Sequence, residues 1–214
     1  MTGGRGVLPH HNSSPLESFT YPFRRRAPWL AGSLLVLAWP LSFPILLGYA
    51  LAATRAAAAD PRAAPPPLAV TRRTLAEGTL LGLAIAIVSV PFVAMLLAIA
   101  VSAERLALPE PYLLVGGACL ASLGWAMLAL LLLPPNAAVF ARTGRARDLL
   151  DPVAAGRRVR SRFVVWNVAT VVMVTAWLIA LASACLCCIG FLPGAFYAML
   201  VSAHAAGSLA DPET

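Results

Sequence analysis

The chain contains no lysine, and charge of either sign is scarce: 12% of its 214 residues are charged, against about 25% in an ordinary soluble domain. The scarcity is also uneven. No charged residue occurs from 27 to 54, from 78 to 103, from 111 to 141 or from 163 to 210. Ion pumps and proton-coupled carriers rely on ionisable groups inside the membrane; these runs hold none except His204, which argues against both classes. Cysteine is thin as well, with four in the chain. A zinc site wants four ligands in paired spacings, whereas Cys185 with Cys188 supplies one pair, and Cys119 and His204 belong to other segments. The stretch "ACLCCIGFLP" (184–193) therefore reads as small packing residues near a helix end, with a reversible thiol pair as the alternative. No metal or cofactor site is expected.

What fills the chain instead is apolar: 60% of residues are hydrophobic. Each uncharged run exceeds the roughly 20 residues that a helix needs to cross a ~30 Å hydrocarbon layer, so the fold class is all-α, a polytopic membrane helical bundle. The second and third runs make one helix each, and the last has room for two with a break at Gly190 and Pro193. The first run carries Pro40 and Pro44 within "AWPLSFPILLGYA", where proline kinks or ends a helix. It is either one long helix or two short ones, about 27–40 and 43–59. Charge decides between them, because cytoplasmic loops collect basic residues. With about six membrane segments, three helical hairpins and both termini inside, fourteen of the arginines from residue 24 onward face the cytoplasm, and only Arg105 lies outside. Five segments would put part of this charge on the wrong side. The domain reading is a disordered cytoplasmic tail over 1–23, a single membrane-embedded domain over 24–209 with short cytoplasmic surface helices, and a short tail over 210–214. The first apolar run is too long for a signal peptide, and His10 and His11 read as tail polarity.

Local signals place the helix starts. Thr74 and Glu77 have capping-box spacing before the third segment, and Asp151 followed by Pro152 reads as N-cap and first helical residue before the fifth. Trp29, Trp166 and Tyr112 fall at headgroup levels. Small residues recur at three- or four-residue spacing in three segments: Gly78, Gly82 and Ala86; Gly117, Ala121 and Gly124; Gly194, Ala198, Ser202 and Ala206. Such faces let helix backbones approach closely in lipid. A weak internal repeat relates "FPILLGYALAATR", "LPPNAAVFARTGR" and "LPGAFYAMLVSAH".

The order "LLGYALAATRAAAADPRAAPPPLAVTRRTLAEGTLLGLAIAIVSVPF", then "LLLPPNAAVFARTGRARDLLDPVAAGRRVRSRF" and "CIGFLPGAFYAMLVSAHAAG", resembles the membrane family catalogued as domain of unknown function 4013, found mainly in halophilic archaea and in some bacteria. The marks are Gly48, Tyr49 and Arg55, then Pro67 and Gly78, a Leu-Pro break at Leu133 and Pro134, and Pro193, Tyr197, Ser202, Ala203 and His204. The linker here departs from the family in being basic. The resemblance implies a fold and a membrane location, and no activity.

Three function classes fit these observations: a non-enzymatic scaffold or accessory subunit, a transporter-like protein for an uncharged or lipidic solute, and a lipid-modifying enzyme. The last would need an acid, base or metal cluster at an interface. Asp148 and Asp151 are the nearest approach to one, and capping and pairing with Arg145 and Arg147 explain them more simply. The reading is thus a non-enzymatic integral membrane protein. Its expected partners are the lipid bilayer, anionic lipids and other membrane proteins, not nucleic acid. Arg72, Arg73, Arg157, Arg158 and Arg160 form the expected lipid-headgroup site, since arginine forks bind phosphate bidentately and basic residues gain about 1 kcal/mol each beside an anionic leaflet. Asn136, Asn167 and His204 are the interior polar candidates, with interhelical hydrogen bonding preferred for the two asparagines and the inner headgroups for His204.

Overall fold

The computed structural model describes residues 16–25, 28–38, 41–105, 111–186 and 190–208. Among them the regular structure is entirely helical. A short α1 (Glu17–Thr20) continues into a 3-10 turn (Tyr21–Arg24). Then come α2 (Pro28–Leu37), α3 (Phe43–Ala59), α4 (Arg72–Arg105), α5 (Pro111–Thr143), a second 3-10 turn (Ala146–Leu149), α6 (Pro152–Ser161), α7 (Phe163–Leu186) and α8 (Phe191–Ser208).

The six apolar segments expected from charge each correspond to a helix, α2, α3, α4, α5, α7 and α8, but they are unequal. Three of them, over Arg72–Val101, Val115–Thr143 and Phe163–Cys185, are long and apolar enough to cross a membrane. At 1.5 Å per residue the 10 residues of α2 reach only about 15 Å, so that helix cannot cross alone. The turn between α2 and α3 is held by Ser42, whose hydroxyl donates to the Leu35 carbonyl. Pro44 then stands in the first turn of α3, where its missing amide costs nothing.

Other expectations are corrected. The N-terminal tail does not extend to residue 23 as unstructured chain, because Ser18, Tyr21 and Pro22 are buried and the α1 region packs on α8; residues 1–15, with His10 and His11, and the tail over 210–214 lie outside the described residues. The capping position before α4 is Thr71 rather than Thr74. Its hydroxyl oxygen accepts the Thr74 amide at 3.0 Å, which leaves Glu77 free for another use. No break occurs at Leu133 and Pro134, since α5 runs through both Pro134 and Pro135. In lipid a freed carbonyl has no water to turn to, so prolines are accommodated in a continuing helix. Asp151 does cap α6, accepting the Ala154 amide at 2.8 Å, although α6 is a separate helix that ends before α7 begins.

α8 is the central helix. Ten of its residues are buried, against α7 on one side through Ala169, Ala176, Ala180, Ala198, Val201 and Ala205, and against α2 and α3 on the other through Tyr49, Phe196 and Leu200. Trp166 lies inside the first of these clusters. Trp29 is half-buried, and its indole donates to the Pro22 carbonyl at 2.9 Å; the side chain of Tyr112 lies outside the described residues.

Two of the three small-residue faces are used. A Cβ on Gly48 would meet the Thr74 carbonyl, and one on Gly78 the Pro44 carbonyl, so α3 and α4 cross with their backbones in contact. Gly194 faces the Ala180 backbone of α7, and Gly207 faces the Thr54 carbonyl of α3. The third face is open: nothing lies within 4 Å of a Cβ on Gly117 or Gly124. Leu83, Val90 and Leu97 on α4 and Leu120 and Leu123 on α5 are all exposed.

This contrast yields a paired expectation. Gly48→Ala and Gly78→Ala should each lower the unfolding temperature in detergent, because overpacking against backbone costs about 1–3 kcal/mol. Gly117→Ala and Gly124→Ala should leave it unchanged or raise it slightly, through better helix propensity.

Candidate functional site at the basic pole

The end of α3, the start of α4, the end of α5, α6 and the end of α8 gather at one pole of the bundle, together with the loop 60–71 and the α1 region. The loop carries Pro61, Pro65, Pro66 and Pro67 and no regular structure. Prolines donate no backbone hydrogen bond, so apart from the Ala63 amide, which reaches the Asp60 carbonyl at 3.1 Å, this stretch has few donors for its own carbonyls. Side chains supply them instead. Arg24 donates to the carbonyls of Pro61 at 2.7 Å and Ala63 at 3.4 Å, Arg25 to Pro65 at 3.0 Å, and the Tyr49 hydroxyl to Pro66 at 2.9 Å.

His204 completes the set from α8. Its Nε2 lies 2.9 Å from the Pro61 carbonyl and its Nδ1 lies 2.9 Å from Ser18 Oγ. A carbonyl only accepts, so Nε2 carries the proton and Nδ1 accepts from the Ser18 hydroxyl. One fully buried imidazole thereby ties α8 to both the α1 region and the proline loop. The Tyr21 ring packs against it, tilted by 38° with centroids 4.4 Å apart, and Tyr197 adds a bond from its hydroxyl to the Phe19 carbonyl at 3.1 Å. Burial, with Tyr49 nearby, pushes the Tyr21 phenol above its usual range, and Arg24 partly opposes this. His204 therefore sits in the interior and not at the headgroups, which had been the favoured sequence reading.

A second cluster lies where α3 crosses α4. Arg55 grips Glu77 with both fork nitrogens, at 2.9 and 2.6 Å, and Arg73 adds a bond from Nε at 2.7 Å. Glu77 is 8% exposed, so two helices are joined here by a largely dehydrated carboxylate beside the Gly48–Gly78 contact. Sequence reading assigned Glu77 to capping and missed the pair. The signal was Arg55, a cation inside the apolar pattern of α3 that needed a partner.

The third cluster centres on Asn136, which is 3% exposed. Its amide donates to the carbonyls of Leu149 at 3.2 Å and Asp151 at 3.1 Å, while its Oδ1 accepts from Arg158 at 2.9 Å. The polar residue near the α5 prolines thus fixes the turn leading into α6. Asn167 is exposed on α7 and joins no cluster.

The five expected headgroup arginines divide. Arg73 and Arg158 are engaged by Glu77 and Asn136, whereas Arg72, Arg157 and Arg160 are exposed; the two sets remain on separate helices, α4 and α6. Cys119 and Cys185 are free thiols on α5 and α7, and Cys187 and Cys188 lie outside the described residues.

Breaking a buried ion pair from one side leaves an uncompensated charge worth about 3–5 kcal/mol, while exposed pairs contribute about 0–1 kcal/mol. Glu77→Gln should therefore depress the unfolding temperature in detergent well below that of Arg73→Gln, whose side chain is 67% exposed. Equal effects would show that the Arg55–Glu77 pair does not hold the crossing.

No curated protein and no solved structure matches the chain. The model of the family described as Protein of unknown function (DUF4013) matches residues 31–206; three helices inside that span are long and apolar enough to cross a membrane, and the chain belongs to that family.

Proposed function

We propose that the chain is a non-enzymatic membrane scaffold or accessory subunit, with six membrane segments, the basic pole and both termini on the cytoplasmic side of the cell membrane, and anionic lipid bound at that pole. One observation carries this reading. The six buried polar side chains among the described residues, Ser18, Ser42, Thr54, Glu77, Asn136 and His204, are each bonded to another part of the same chain. Five of them bridge to another helix or loop, Thr54 bonds within α3, and Ser202 Oγ on α8 is buried with no hydrogen-bond partner among the described residues, so most of the polar interior is committed to holding helices and loops together. A carrier of a polar solute would need such groups turned toward a cavity, and a lipid-modifying enzyme would need them turned toward a substrate.

The arginines support the membrane orientation and the lipid. Arg72, Arg157 and Arg160 project from the pole, where an anionic leaflet attracts each by about 1 kcal/mol. α6 suits such a surface: Ala155 and Val159 are buried toward the bundle, and Arg157 and Arg160 stay outside. A second reading, a permease-like carrier of an uncharged or lipidic solute, draws on the prolines inside α4 and α5; lipid movement between leaflets in reconstituted liposomes would favour it.

The test is the lipid and protein complement that survives purification in mild detergent. The expected result is anionic phospholipid in excess over zwitterionic, together with other membrane proteins, and a clear fall in bound anionic lipid in a variant carrying Arg72→Gln, Arg157→Gln and Arg160→Gln. A lipid complement unchanged by those substitutions would leave the arginines with orientation as their only role.

A further inference from the structure

An apolar groove of about 370 Å³ runs between α4 and α5, lined by Val88, Pro91, Trp125, Ala129 and Leu133 and closed at its lower end by Asn136 with the 149–152 turn. Pro91 lines it from inside the continuous α4 and has no amide to give the Ile87 carbonyl one turn back. The adjacent Val88 carbonyl is taken up by the Trp125 indole N–H at 2.7 Å across the two helices. That bond removes an exposed acceptor from the groove wall, which leaves Asn136 as its polar lining side chain.

The lower end is different in kind. Asn136 Oδ1 is held by Arg158 Nη1 at 2.9 Å, so a partly exposed guanidinium lies one hydrogen bond behind a residue that lines the groove. One of its five N–H groups is used in that bond. Arg157 and Arg160 flank it on α6, exposed. Asp148 and Asp151 keep their negative charge while accepting the Thr143 hydroxyl at 2.6 Å and the Ala154 amide, but Arg145, Arg147, Arg157, Arg158 and Arg160 of the same segments outnumber them. The mouth of the groove is therefore cationic.

We infer that this groove holds one acyl chain of an anionic phospholipid whose phosphate is bound by Arg158. Charge complementarity selects the occupant. A zwitterionic lipid would bring its own cation to a basic rim, and a protein helix would need to seat a side chain of matching charge beside Asn136. An anionic phospholipid satisfies both ends at once, with hydrocarbon against Val88, Ala129 and Leu133 and phosphate against a fork suited to bidentate binding. The inference rests on the proposed reading that the basic pole meets anionic lipid. It adds a specific site to a diffuse one.

The experiment compares phosphatidylglycerol with phosphatidylcholine of identical chains, added to delipidated protein and followed by native mass spectrometry. One tightly retained phosphatidylglycerol is expected, preferred about tenfold over phosphatidylcholine. Ala129→Phe, which fills the groove, should lower that occupancy about tenfold, and Arg158→Gln should bring the preference close to one. Loss of binding in Arg157→Gln with Arg160→Gln, together with full retention in Ala129→Phe, would overturn the groove and leave the surface reading standing. Indifference to every arginine would sink both. Because a substituted α5 could misfold, the wild-type chain is also labelled with phosphatidylglycerol carrying a photoactivatable acyl chain. Crosslinks concentrated at 87–91 and 125–133 are expected, and label spread evenly over the outward faces of α4, α5 and α7 would refute the site.

Discussion

A loop with four prolines has fewer backbone donors than carbonyls and makes one backbone bond within itself, Ala63 to Asp60, and this shortage organises the basic pole. The carbonyls of Pro61, Ala63, Pro65 and Pro66 must find donors from elsewhere, or be hydrated and stay apart from the bundle. They find Arg24, Arg25, Tyr49 and His204. Since two of these donors come from the chain before α2, one from α3 and one from α8, satisfying the loop draws three remote segments together. Ser18 and Tyr21 are buried as a result. The folding of the chain before α2 thus follows from the composition of a loop about forty residues later.

In the hydrocarbon region the governing term is different. No hydrophobic effect drives helix against helix there, so close approach must come from shape and from the few polar bonds that form inside. Gly48 on Gly78 provides the shape, while Gly207 on Thr54 and the Arg55–Glu77 pair fix the helices at the basic pole. α3 and α8 are covered by these contacts. The outer parts of α4 and α5 are not, and their open glycine face and exposed leucines meet whatever surrounds them, which by composition is lipid. The stable half of the protein and the half that meets lipid are joined at Asn136, where α5 meets the turn into α6.

Legibility of the sequence followed the range of the interaction. Six helices could be read because gaps in charge are a property of the local chain, and Asp151 with Pro152 could be read as a cap because both partners lie within four residues. Glu77 could not: Thr74 stands three residues before it and imitates a capping box, while its real partner, Arg55, lies 22 positions away. His204 was legible as an interior candidate but not as a tie, because Ser18 is 186 positions distant and carries no motif. The α5 prolines looked like a break by the rules of aqueous helices. A lipid environment removes the water that would make a break favourable, and the helix continues.

The central claim is that the chain before α2 and the proline loop form one cooperative unit pinned to α8. Hydrogen–deuterium exchange of the protein in detergent tests it most directly, read at the amides of 16–25 and of 60–71 in the wild type and in His204→Leu. Removal of the imidazole should accelerate exchange in both segments together, by at least about tenfold, the equivalent of roughly 1.4 kcal/mol of lost protection, while the α3–α4 crossing keeps its protection. Exchange that rises in neither segment, or in one without the other, would contradict the account.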